Sequence, residues 1–303
     1  MKTLIASFIF LFLSSSFAIA QDSTLMNMLN DSMSANAAPS YVTGTFKGIH
    51  FINMHTVEAP AHGVLNFIIM HRFGQLNDGA YNFFGLDNAT IRLGLDYGIS
   101  DRLSVGIGRS SYLKTFDGYA KYKLFLQSDG NNKMPVTTDL LIGLTDYTQK
   151  YSDKSYLNTK LRTSYFTQLL IARKFNSNLS LQLVPSWIHY NLVPGKADKN
   201  DVFAVGIGGR IKVTKRSGII AEYNFVPDNQ VVSTNIHNSL SLGWEIETGG
   251  HVFQLVFSNS QAMTESQYIG QTEGRWAKGD IFFGFNVSRV FNISKGAKSK
   301  AAY

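Results

Sequence analysis

Residues 89–108, ATIRLGLDYGISDRLSVGIG, alternate apolar and polar side chains almost without a break. Ile91, Leu93, Leu95 and Tyr97 point one way; Thr90, Arg92, Gly94 and Asp96 point the other. After a short break Leu103, Val105 and Ile107 stand against Ser104, Gly106 and Gly108. Side chains on a strand project to two faces in turn, so this stretch reads as a hairpin with one apolar and one polar face. The apolar face has to leave water, either against a protein core or against lipid. The two solutions make different proteins.

The pattern recurs along the chain. Twelve strand segments are expected near 64–73, 89–97, 103–112, 117–127, 134–147, 162–175, 179–190, 202–213, 219–226, 236–247, 252–258 and 280–291. In three of them, 89–97, 202–213 and 236–247, the apolar face comprises Ile91, Leu93, Leu95, Tyr97, Phe203, Val205, Ile207, Gly209, Ile211, Val213, Leu240, Leu242, Trp244 and Ile246. Among the positions between them, only Ala204 is apolar. LLIGL (140–144), FIIM (67–70) and IFFGF (281–285) are less clean and carry apolar residues on both faces.

The connections also alternate. GISDR (98–102), NSN (176–178), KRSG (215–218) and TGG (248–250) are short turns, whereas 74–88, 148–161, 191–201, 227–235 and 259–279 are long. Only the two loops beside 117–127 are comparable in length. Long loops gathered at one end suit an outer-membrane barrel, and a soluble sandwich has no reason for them. Aromatic residues add to this. Phe73, Tyr112, Tyr119, Tyr147, Tyr165, Trp187, Tyr223 and Phe225 fall near long-loop ends, with Tyr97 and Phe175 near short-turn ends, as two interfacial girdles would. In lipid every backbone polar group must be paired, so an alternating sheet spans only as a closed barrel. The expected fold is all-β: a monomeric transmembrane antiparallel up-and-down β-barrel of about 12 strands.

The start of the chain, MKTLIASFIFLFLSSSFAIA, has a positive n-region at Lys2, an apolar run from Leu4 to Phe17 and a small-residue site at Ala18-Ile19-Ala20. It reads as an export signal over residues 1–20. Residues 21–62 read as a short periplasmic or lumenal segment, 63–293 as the barrel and 294–303 as a C-terminal tail. With no cysteine, disulfides, thiolate metal sites and a Cys nucleophile are excluded. The net charge of +7 falls to +6 without Lys2 and is dispersed, which, with export, argues against nucleic acid as a partner.

The run HRFGQLNDGAYNFFGLDNATIRLGLDYGISDRLSVGIGRSSYLKTFDGYAKYKL (71–124), with GTFKGIHFINMHTVEAPAHGVLNFIIMHRFG (44–74) upstream, resembles a Bacteroidota family of outer-membrane β-barrels of unknown function, the domain of unknown function 5777 type. The resemblance covers about 41–291 and implies an outer-membrane location. It carries over no catalytic or ligand residues.

With the apolar face outward, the polar face lines a lumen. Arg72, Arg92, Lys121, Lys123, Arg210 and Lys212 are expected there against Asp96, Asp139, Glu222, Glu245 and Glu247. These charges either pair as a network that closes the barrel or line a pore. Convergence of Lys121, Lys123, Arg210 and Lys212 would favour small anionic solutes. Residues 41–62 are expected either to fold back as a plug or to contact a periplasmic protein. His50, His55, His62 and His71 with Met26, Met28, Met33, Met54 and Met70 are metal-ligand types in irregular spacing, and no metal or other cofactor is expected. His237 and Ser239 share a strand face near a long loop, but nothing supplies a third group or an oxyanion hole, so the chain is not expected to be an enzyme. The glycine runs at 105–108 and 206–209 lack a following helix, so they are no phosphate loop; they read as places where the wall bends. The leading expectation is a passive channel for small charged solutes or a lumen-plugged barrel. The alternative is a structural or partner-binding outer-membrane barrel without transport, and behind both stands a barrel lipid hydrolase using His237 and Ser239.

Overall fold

In the computed structural model, which describes residues 40–130 and 133–294, twelve antiparallel strands close into one barrel. They are β1 (Val64–Gln75), β2 (Ala89–Gly98), β3 (Leu103–Ser110), β4 (Thr115–Phe125), β5 (Thr137–Tyr147), β6 (Thr163–Lys174), β7 (Leu179–Tyr190), β8 (Asp201–Lys212), β9 (Ser217–Phe225), β10 (Ser239–Thr248), β11 (His251–Ser258) and β12 (Phe282–Asn292). Each strand pairs with its neighbours in sequence, and β12 closes on β1 with a single register shift between Phe282 and Gly284. Ser40–Tyr41 and Ser128–Asp129 form a separate two-residue ladder within a small unit of their own. The expected signal at 1–20, Met26, Met28 and Met33, and nearly all of the tail lie outside the described residues.

The faces decide where the apolar side goes. On β8, Phe203 (58% exposed), Ile207 (53%) and Ile211 face outward, while Val202, Ala204, Gly206, Gly208 and Arg210 are buried toward the lumen. The same inversion holds on β2, where Ile91, Leu93 and Leu95 are exposed and Arg92 and Asp96 are buried. Water outside would leave a continuous greasy wall wet and bury charge within. Lipid outside resolves both, since the wall then meets hydrocarbon and every barrel strand has two hydrogen-bonded neighbours. No helix among the described residues is long and apolar enough to cross a membrane, so the strands do the crossing.

Short turns follow local chemistry. Gly249 and Gly250 both take positive φ (46° and 98°), which is what a two-residue hairpin between right-twisted strands requires. Asn176 accepts from the backbone N–H of Asn178 and Leu179, and Thr214 from those of Arg216 and Ser217. The length asymmetry inverts at β4: residues 111–114 form a tight link among the long loops, and 126–136 a longer one among the short turns.

One girdle assignment is corrected. Tyr119 is buried in the lumen and donates to Asp96, because Thr115, Asp117, Tyr119 and Lys121 share the inward parity of β4. Phe116 is the outward ring on that strand, with the Arg109 guanidinium 4.7 Å from its centroid. Tyr112 lies in the 111–114 link rather than on a strand.

Candidate functional site

The lumen is filled from both ends. From the short-turn end, residues 42–62 run into the barrel and turn at their tip: Phe51 N–H donates to Met54 O (2.8 Å) and Thr56 N–H to Ile49 O (2.9 Å). Phe46, Phe51, Ile52, Met54 and Val57 are buried against Leu141, Phe166, Leu170, Val184, Ile188 and Val202 of the wall. The strands that carry apolar residues on both faces thereby acquire a reason. Leu141 packs in that cluster, and Ile68 and Met70 pack against Met263.

Wall residues from most of the strands hold this plug, chiefly by its main chain. The Glu222 carboxylate of β9 accepts from the N–H groups of Ile52 (3.2 Å), Asn53 (3.0 Å) and Met54 (2.9 Å). Gln182 of β7 clamps the next turn, accepting from Val57 N–H (3.0 Å) and donating to His55 O (2.7 Å). Lys121 of β4 donates to Thr56 O (2.9 Å) and Glu58 O, Gln254 of β11 to His50 O (3.2 Å), and Asn286 of β12 to Ile52 O (2.9 Å). Arg72 of β1 donates to Asn53 Oδ1 (2.9 Å) and to Asn286 Oδ1 (2.9 Å). Gly206 and Gly208 make room on β8: a Cβ at Gly208 would lie 2.5 Å from the Phe51 ring, and one at Gly206 2.9 Å from Met54 Cε. Gly106 and Gly108 likewise clear space for Tyr119, Arg92 and Asp117. The space above these glycines is occupied by side chains, a role that reading them as wall bends did not include.

From the long-loop end, the segment between β11 and β12 folds inward and carries a short helix, Glu265–Gly270, buried throughout. Tyr190 donates to Ser266 O, Ser266 Oγ meets Thr145 Oγ1 (2.6 Å), and Gln267 Nε2 donates to Thr115 Oγ1 (2.8 Å). The two inserts meet where His55 Nε2 lies 3.2 Å from Glu265 Oε1. Burial, then the neighbouring Asp117 carboxylate, pushes the Glu265 carboxyl up to about 8. Burial also holds His50 and His55 well below the usual imidazole range, helped by His55 for His50 and by Lys121 and Arg92 for His55.

The charged residues fall as follows. Arg72, Arg92, Asp96, Lys121, Asp139, Arg210, Glu222 and Glu245 are buried, while Lys123, Lys212 and Glu247 are half-buried toward the short-turn end. Arg92 Nε donates to Asp117 Oδ1 (2.9 Å) and its Nη2 to Oδ2. Arg210 pairs with Glu245 (2.7 Å), Lys47 of the plug with Glu247 (3.0 Å), and Asp96 accepts from Tyr119 and from Asn66 (3.0 Å). Asp139 is fully buried, and neither of its oxygens has a hydrogen-bond partner among the described residues. Arg210 and Lys121 stand four strands apart, Arg210 paired with Glu245 and Lys121 with plug carbonyls, so the basic residues do not gather at one place. Sequence reasoning missed Asp117, though it shares parity with Tyr119 and Lys121. It also missed Gln182, Gln254, Asn286 and Glu265, because a neutral amide or a loop carboxylate gives no periodic signal.

The remaining candidates do not assemble. The His50 and His55 rings meet at 4.0 Å, tilted by 39°, His62 contacts Ile99 O (2.7 Å), and His71 points outward between Phe73 and Phe285. No group of three His, Cys, Asp or Glu side chains suited to a metal occurs among the described residues. His237 accepts from Arg275, while Ser239 is buried and its hydroxyl has no hydrogen-bond partner among the described residues, so the two are not hydrogen-bonded to each other.

Residues 46–291 match the profile of a family described as membrane bound beta barrel domain (DUF5777). Among solved structures, an outer membrane channel from Pseudomonas putida F1 is 14% identical, with 77% of this chain and 97% of that chain covered at a TM-score of 0.45. The NanC porin is 8% identical, with 75% and 98% covered at 0.47. The CymD monoaromatic hydrocarbon channel is 10% identical, with 76% and 87% covered at 0.33. A search of curated proteins gives no match.

Proposed function

This chain belongs to the membrane bound beta barrel domain family, and from that premise we propose that it is an outer-membrane channel held shut by its own residues 42–62. The carrying observation is the Glu222 carboxylate receiving three consecutive plug N–H groups, a fixed seat for a segment that crosses the lumen. The wall also provides for the plug's departure. Lys121, which now serves Thr56 O and Glu58 O, shares a face with unpartnered Asp139 on the adjacent strand. The register (Lys121 opposite Leu141, Lys123 opposite Asp139) makes them diagonal neighbours, about 7–8 Å apart at Cα and within a lysine's reach. Release then trades plug carbonyls for an ion pair.

With residues 42–62 withdrawn, the wall carries six basic residues (Arg72, Arg92, Lys121, Lys123, Arg210, Lys212) and six acidic ones once Asp117 joins Asp96, Asp139, Glu222, Glu245 and Glu247, while the insert between β11 and β12 keeps its place at the long-loop end. Such a wall passes small solutes with a weak charge preference rather than a strong anionic one. The test is planar-bilayer conductance of the mature protein beside a variant lacking residues 42–62. Steps confined to the shortened variant support a plugged channel. Silence from both, with folding demonstrated, replaces it with a structural barrel whose 21–62 segment serves a periplasmic partner.

A further inference from the structure

The link between β1 and β2 exposes more aromatic surface than a loop in water can be expected to keep. From Gly79 to Leu86 the sequence is GAYNFFGL, without a charge, and Tyr81 is 96%, Phe83 59% and Phe84 52% exposed. We propose that this loop is a membrane-seated wedge, with Tyr81, Phe83, Phe84 and Leu86 lying in the lipid leaflet at the long-loop end.

Three observations carry it. The loop is clamped. A Cβ at Gly85 would sit 2.5 Å from Gly74 C and Gln75 O, so the two chain segments touch, and Phe84 N–H donates to Gly79 O (2.9 Å). Its root is tied to the segment before β12 by Leu76 N–H to Ile281 O (2.8 Å) and by Asn77 to Asp280 (2.7 Å). The backbone is also strained to present the rings. Phe83 and Phe84 hold φ of 47° and 53°, the left-handed region that bulky residues rarely occupy, and strain of this kind persists only where its surroundings impose it. Finally, the rings continue an interface already present. At the same long-loop end, the outward ring of Phe283 on β12 stacks on Phe73 of β1 at 5.7 Å and lies tilted against Phe257 of β11 at 5.3 Å, forming part of the lipid-facing wall. Aromatic side chains favour the membrane boundary, and a rigid loop bearing three of them extends that band past the strand ends. The acidic Asp78 and Asp87 mark the points where the loop leaves and rejoins water.

Because the chain has no cysteine, single cysteines carrying nitroxide labels test this without background. Tyr81→Cys and Phe84→Cys are to be compared in phosphatidylcholine/phosphatidylglycerol vesicles with Ile207→Cys on the lipid wall and Lys154→Cys on an exposed loop. The expected result is a ratio of oxygen to nickel-chelate collision several-fold above that of Lys154→Cys and close to that of Ile207→Cys. Nickel access equal to Lys154→Cys overturns the proposal. Low access to both reagents also overturns it, since the rings would then be covered by protein, such as a second copy. Should labelling disturb folding, a membrane-soluble diazirine applied to the unaltered protein probes the same contact with lipid. Adducts within residues 79–87 support the wedge, and adducts confined to the strands refute it.

Discussion

Replacing Glu222 by Gln tests the seat of the plug without changing its shape. The carboxylate now takes three main-chain N–H groups at 2.9–3.2 Å, all in a buried setting. Glutamine keeps one acceptor oxygen but loses the charge. Hydrogen bonds to charged groups contribute about 1 kcal/mol more than neutral ones, so three of them amount to about 3 kcal/mol. At about 1.4 kcal/mol per decade, the released fraction should rise about a hundredfold. The assay is labelling of a buried plug cysteine, Val57→Cys, by a membrane-impermeant maleimide. When opening and closing are fast relative to the reagent, the rate follows the open population. Gln182, Lys121 and Asn286 remain in place, so the barrel stays folded and the plug still visits its seat. Labelling within twofold of the parent, with folding intact, would show that Glu222 does not hold the segment and would remove the main support for a plugged channel.

Other outcomes follow from the same geometry. Asp139→Asn removes a buried carboxylate with no partner and leaves Lys121 to the plug alone, so closure should tighten by about 1–2 kcal/mol and Val57→Cys labelling should slow about tenfold. Ile207→Arg puts charge on the lipid wall near mid-strand and should lower refolding stability in vesicles by about 2–4 kcal/mol, an effect absent if that face met protein or water. Closure should also depend on pH. His50 and His55 must shed protons to be buried, so closure gains as pH rises to their ordinary 6.5. Glu265 must take up a proton, beside Asp117 and Arg92, so closure weakens from its ordinary 4.5 up to about 8. The histidines thus favour closure as pH rises toward 6.5, and Glu265 opposes it from there to about 8. Plug protection should therefore vary with pH between 5 and 8; a flat labelling profile over that range contradicts this.

The barrel was legible because lipid on one side and polar lumen on the other impose a period of two on every strand. All twelve barrel strands lie within three residues of the expected segments. The filling of the lumen was harder to read. Phe51, Ile52 and Met54 form an irregular turn with no period, and their partners Gln182, Gln254 and Asn286 are uncharged polar residues like many others on the inner face. One trace was nevertheless present: strands with apolar residues on both faces, such as LLIGL, lie where the lumen holds packed apolar side chains. The strained turn at Phe83 and Phe84 left no signal, since left-handed backbone is normally announced by Gly or Asn.

The wall grips the plug mostly through amides and carbonyls, with Asn53, His55 and Lys47 as the main side-chain exceptions. A segment recognised in this way is read as backbone rather than as a string of particular residues. Its sequence is free to drift at most positions, provided it keeps its bulk and its turn. The readers have no such freedom, because each of Glu222, Gln182 and Lys121 serves two or more backbone groups at once. In a set of related chains, variation should therefore concentrate in the part that is held and spare the part that holds it.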